Sequence, residues 1–159
     1  MKFLDWRALA IAVVVAATVF LLMNVLLTPL LGVSMTVIIR YMASIVLGAE
    51  TVNTEASTST LIIGVVMNYL IAAFWGFLIA IVIHRWGMLV GIVLGGALGF
   101  AVYVISVFGA TQVFWWFQPV TNIVFLLSHI VFGMVLGGVY EALDTYDTEF
   151  PVTVEGVSS

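Results

Sequence analysis

MLVGIVLGGALGFAVYVISVF, residues 88–108, has no charged side chain and places glycine at 91, 95 and 99, with Gly87 one step earlier. At 1.5 Å rise per residue the stretch is long enough to cross about 30 Å of hydrocarbon as a helix. Its reading decides the fold, because three more stretches share its character. Residues 8–31, 61–83 and 122–143 are equally apolar, and besides tyrosine their only ionisable groups are His129 and Glu141. The chain is 64% hydrophobic and 8% charged, with a mean hydropathy of +1.30. A soluble domain is about 25% charged, so a chain this short has too much apolar surface for an aqueous core to hide. The expectation is an all-α integral membrane protein with four transmembrane helices, a single bundle over residues 1–143, and an acidic, mobile tail over 144–159.

Residues 34–48 are apolar but too short for a span, and Arg40 stands at their centre. A mid-span arginine costs about 2.5–3.5 kcal/mol even on lenient insertion scales. An external amphipathic helix fits better, with Thr36, Arg40 and Ser44 on its polar face. Four spans with both termini cytoplasmic put Lys2, Arg7 and Arg85 inside and only Arg40 outside, as the positive-inside rule prefers. The apolar run after Arg7 is longer than a signal-peptide core and is expected to remain as the first span. The polar run 50–60 and the aromatic run FWWF (114–117) then lie outside, and HRWG (84–87) is an inner turn.

Charge and composition exclude several function classes. Four basic residues against eight acidic ones, without a basic patch, argue against a nucleic-acid partner. The absence of cysteine excludes disulfides, thiolate metal sites, iron–sulfur clusters and CxxCH haem attachment. No HExxH, Walker A, GxSxG or GxGxxG pattern occurs, so neither an enzyme nor a metal or cofactor is expected.

Two patterns remain. The first is small residues at spacing four: Gly87, Gly91, Gly95 and Gly99 on the third span; Gly64, Asn68, Ala72, Gly76 and Ala80 on the second; His129, Gly133, Gly137 and Glu141 on the fourth. Lipid supplies no hydrophobic force between helices, so close backbone packing must hold them together. These seams suit the protein's own bundle, or alternatively another membrane subunit or a second copy. The second pattern is polar groups at similar depth: Asn24, Asn68, Tyr103 and His129, with Arg40 placed to cap them. An intramembrane ionisable group is a functional-site hypothesis by default. The blander reading is that His129 hydrogen-bonds Asn68 or Tyr103 to set helix register. His84 and Glu141 form a further pair at the inner boundary.

A first span ending at Pro29 and Gly32, the run RYMAS (40–44) before Gly48, a glycine-rich third span, a loop at Pro119 and the block HIVFGMVLGGVYE (129–141) resemble the YagU-like and related small four-span membrane proteins. The resemblance implies a four-helix architecture in a prokaryotic cell membrane, not an activity. The functional expectation is a non-enzymatic accessory or assembly subunit packing through glycine faces. The alternatives are a small transporter or ion-conducting protein with a pocket around His129, or an accessory subunit of a respiratory complex.

Overall fold

A computed structural model describes residues 4–84, 86–120 and 122–144, with side chains omitted at 118–120. Lys2, Arg85 and the tail beyond 144, on which the charge bias and the expected mobile segment rest, lie outside the described residues. Among the described residues every regular element is helical. Four helices are long and apolar enough to cross a membrane: Trp6–Leu31, Thr58–Ile83, Met88–Val113 and Ile123–Leu143. The protein is an all-α, multi-pass membrane protein. In hydrocarbon each backbone polar group needs a partner within its own segment, which a helix supplies.

Local chemistry sets the ends. Helix α1 (Trp6–Leu27) starts where the Asp5 carboxylate accepts from the Arg7 and Ala8 amides at 2.9 and 3.0 Å. It tightens into a 3-10 turn (Thr28–Leu31) at Pro29, whose ring cannot continue the α ladder, and stops at Gly32 with φ +73°. The short helix α2 (Val37–Leu47) follows. Helix α3 (Thr58–Ile83) begins three residues before the expected span, because Ser57 caps it by accepting from the Thr60 amide. Helix α4 (Met88–Ile105) runs through a π-helical turn (Ser106–Ala110) into the single-turn helix α5 (Thr111–Val113). A 3-10 turn (Trp115–Val120) leads to helix α6 (Ile123–Leu143), capped by the Asn122 side chain.

The glycines decide who packs on whom. Helices α4 and α6 run antiparallel in the tightest contact of the molecule. A methyl group added at Gly95 would strike the carbonyl of Gly133, one at Gly133 that of Gly95, one at Gly137 that of Gly91, and one at Gly99 that of His129. Backbone therefore lies directly on backbone, and the third-span glycine face is spent inside the bundle. The other side of α6 packs on α1 and α1 packs on α3, through Ala12, Ala16 and Ala17 of α1 with Leu136 and Tyr140 of α6, all fully buried. Helix α2 lies on α3, where Gly64 admits the Ile39 carbonyl. Helices α3 and α4, consecutive in the chain, touch each other little.

Two expected placements change. Gly87 has nothing within reach of an added Cβ. It is instead the turn before α4, at φ +83°, with its N–H donated to Glu141 Oε2 at 2.8 Å. The seam thus begins at Gly91, and Gly87 is needed for its backbone conformation. Ser44 is fully buried rather than on an exposed polar face, because it accepts from the Trp116 indole N–H at 2.9 Å.

Gly95→Leu should destabilise the protein by about 3 kcal/mol or prevent its assembly, since a backbone carbonyl cannot yield as a side chain can. Gly109→Ala, where an added Cβ makes only an ordinary 3.6 Å contact, should change stability by less than about 1 kcal/mol. Reversible unfolding in mixed micelles measures both, and equal effects would contradict the seam.

Candidate functional site

Because α4 is drawn onto α6 while α3 is held by α1 and α2, a gap remains between α3 and α4 near the α2 end of the bundle. It is a partly enclosed cavity of about 310 Å³, at the lower end of the roughly 300–1,000 Å³ common for small-molecule sites. Asn68, Ala72 and Trp75 of α3 line one wall, and Val102, Ile105 and the π turn line the opposite one. Phe20, Phe125, His129 and Phe132 form the back. Ile105 is 49% exposed, so the cavity's edge there lies at the surface that faces lipid.

The roof comes from outside the four spans. Met42 and Ile45 of α2, with Phe114 and Phe117 of the α5–α6 connection, close over the cavity. Two contacts join these pieces: the Trp116 N–H to Ser44 Oγ, and the rings of Tyr41 and Phe117 at 5.3 Å. Ser44 Oγ in turn donates to the Tyr41 carbonyl at 2.7 Å, which aims its lone pairs at the indole.

Among the described residues His129 is the one ionisable group of the lining, and it is buried, 7% exposed. Its Nδ1–H donates to the Phe125 carbonyl at 2.8 Å, one helical turn back. The ring is held edge-on by Phe125 at 4.4 Å, Phe20 at 4.9 Å and Tyr103 at 5.8 Å. A carbonyl only accepts, so Nδ1 carries the hydrogen and Nε2 of the neutral ring is an acceptor. Nε2 has no hydrogen-bond partner among the described residues.

The expected polar residues divide. Asn68 and His129 do share the cavity, but they do not bond each other. Asn68 Nδ2 donates across to the Ala17 carbonyl of α1 at 3.3 Å. Tyr103 stands behind His129 as a ring contact. Asn24 is buried on α1 and donates to its own Phe20 carbonyl at 2.9 Å, outside the lining. Arg40 does not cap the cavity either. Its Nη1 donates to the carbonyls of Val52 and Thr54 at 3.0 and 2.9 Å, pinning the loop before α3. Carbonyls at the end of a 3-10 turn are ready acceptors for one arm of the guanidinium, while its buried Nε has no partner among the described residues.

At the opposite end, His84 pairs with neither cavity nor Glu141. Tyr140 Oη and Asp144 Oδ2 each lie 2.9 Å from His84 Nδ1, while Glu141 holds the Gly87 amide. Both contacts staple the α3–α4 turn to the end of α6. Among the described residues no group of three or more His, Cys, Asp or Glu side chains is placed to hold a metal.

The residues missed from the sequence are apolar or conformational. Trp75 carried the readable signal: tryptophan belongs at the membrane boundary, and this one stands in the middle of α3. The π turn that contributes Ser106, Val107 and Ala110 to the lining carried none, although such turns recur at functional sites. Scans against protein-family models, curated proteins and solved structures find no match.

Ser44→Ala should leave the Trp116 N–H without its acceptor in a half-buried position and cost about 1–3 kcal/mol. Hydrogen exchange around residues 114–117 should accelerate while that of α4 and α6 stays slow. Unchanged exchange over the roof would show that this bond does not hold it.

Proposed function

We propose that the protein is a non-enzymatic integral membrane protein that binds a lipid-soluble small molecule, admitted from the bilayer between α3 and α4. One observation carries the reading: an aromatic-lined cavity, partly open between two spans, with a buried histidine in its back wall. The glycine seams, which would serve an accessory subunit, are occupied by the protein's own helices. A respiratory or other partner complex would therefore have to use a different face. The reading sits nearer to a small carrier than to a channel, and its place would be a prokaryotic inner or plasma membrane with both termini inside and the cavity toward the outer half. The charge bias and the four-span resemblance support that placement.

The test uses the full chain in nanodiscs and anthracene, a fluorescent aromatic hydrocarbon with no polar group. Saturable binding beyond the partition into empty nanodiscs is expected. Ala110→Phe, which fills the cavity from the π turn, should weaken it by about tenfold, or about 1.4 kcal/mol. Identical anthracene signals from protein-loaded and empty nanodiscs would overturn the proposal.

A further inference from the structure

We infer that the cavity's occupant is a flat-ringed molecule carrying a hydroxyl, of the phenol class, whose O–H donates to His129 Nε2. The inference rests on the binding function proposed above and names the chemistry of that site.

The hydroxyl follows from hydrogen-bond accounting. Nδ1 is committed as a donor to the Phe125 carbonyl, so the cavity-side nitrogen offers a lone pair and nothing else. Its surroundings are aromatic or aliphatic apart from Asn68, Ser106 and Thr111. Thr111 Oγ1 already donates to the Val107 carbonyl, and Asn68 spends one N–H on Ala17. An acceptor left bare in an apolar site is costly. A water there would need two to four polar partners, which this lining does not concentrate. A single O–H from an otherwise apolar molecule satisfies Nε2 at the least desolvation cost.

The ring follows from the lining. Phe20 and Phe125 already hold the imidazole edge-on at 4.9 and 4.4 Å, and Trp75, Phe114, Phe117 and Phe132 surround the remaining space. Aromatic side chains favour offset or edge-to-face contact with another ring at 4.5–7 Å, a preference that an alkyl chain does not meet. The half-open edge between α3 and α4 lets a hydrocarbon tail on such a ring remain in lipid.

Three compounds of nearly equal carbon count separate these elements: 4-decylphenol, 4-decylanisole and 1-hexadecanol, each competing with anthracene on the full chain in nanodiscs. The phenol should displace anthracene at about tenfold lower concentration than the anisole, which keeps the ring and loses the donor. It should also outcompete the alkanol, which keeps the donor and loses the ring. His129→Phe preserves the bulk and ring contacts, and should bring phenol and anisole to the same affinity. Equal wild-type affinity for phenol and anisole, with anthracene still bound, overturns the hydrogen bond and leaves the cavity's binding role standing. An alkanol as tight as the phenol overturns the ring. Failure of anthracene itself to bind removes both readings, and the wild-type comparison does not depend on any variant folding.

Discussion

The bundle depends on one constraint, the contact of backbone with backbone where α4 crosses α6. In lipid, apolar side chains gain nothing by leaving the solvent, so helices associate through dispersion and whatever polar contacts close approach permits. Gly91, Gly95 and Gly99 against Gly137, Gly133 and the His129 carbonyl give α4 a partner it fits better than any other. Helix α3 has its own commitments, to α1 through Asn68 and Tyr69 and to α2 through Gly64. The chain joins α3 to α4 by a tight turn, yet their packing preferences point to different neighbours. The gap between them is the consequence, and it widens away from the turn, where Glu141, His84 and Asp144 hold the helices together.

The π turn belongs to the same account. A helix that opens one turn to i→i+5 spacing bulges locally. This one does so at Ser106–Ala110, beyond the last seam glycine, where α4 no longer has backbone of α6 against it. The bulge places Val107 and Ala110 at the cavity and swings the chain toward Phe114–Phe117, which then reach α2. Roof and wall therefore arise from a single departure from α geometry, fastened by Trp116 to Ser44.

How much of this could be read beforehand differs by element. The spans were legible because hydropathy and length act within one segment, and the seam was legible because a spacing of four survives without knowing the partner. The fate of the glycine face required the tertiary pairing. Gly87 fits the repeat by number, but its neighbours Trp86 and Met88 belong to a turn and a first helical residue, so period alone misassigned it. His129 and Asn68 were found as polar groups in apolar surroundings. Arg40 was drawn to them by depth, whereas its Nη1 is claimed by the nearer carbonyls of Val52 and Thr54. Asn24 met a comparable fate with the Phe20 carbonyl. Apart from Trp75, the aromatic lining was invisible in principle, since phenylalanine in a span is what lipid contact also produces.

The shape of the cavity bears on binding against conduction. A conducting protein needs polar groups at intervals along a continuous path. Here polarity ends at the level of Asn68 and His129. Beyond them α3 presents Ile79, Ala80 and Ile83, and α6 presents Leu136, all 0–3% exposed and packed with Ala8 and Ala12 of α1, before the Tyr140 hydroxyl beside His84 is reached. An ion reaching His129 would face about two helical turns of close-packed hydrocarbon with no group to replace its hydration. A molecule that is itself apolar meets no such barrier at the lateral edge, because it leaves lipid for aromatic side chains and exchanges one hydrophobic surrounding for another. What would distinguish the site from lipid for such a molecule is the acceptor at its back wall, and selection would then rest on a hydrogen bond made where water competes least.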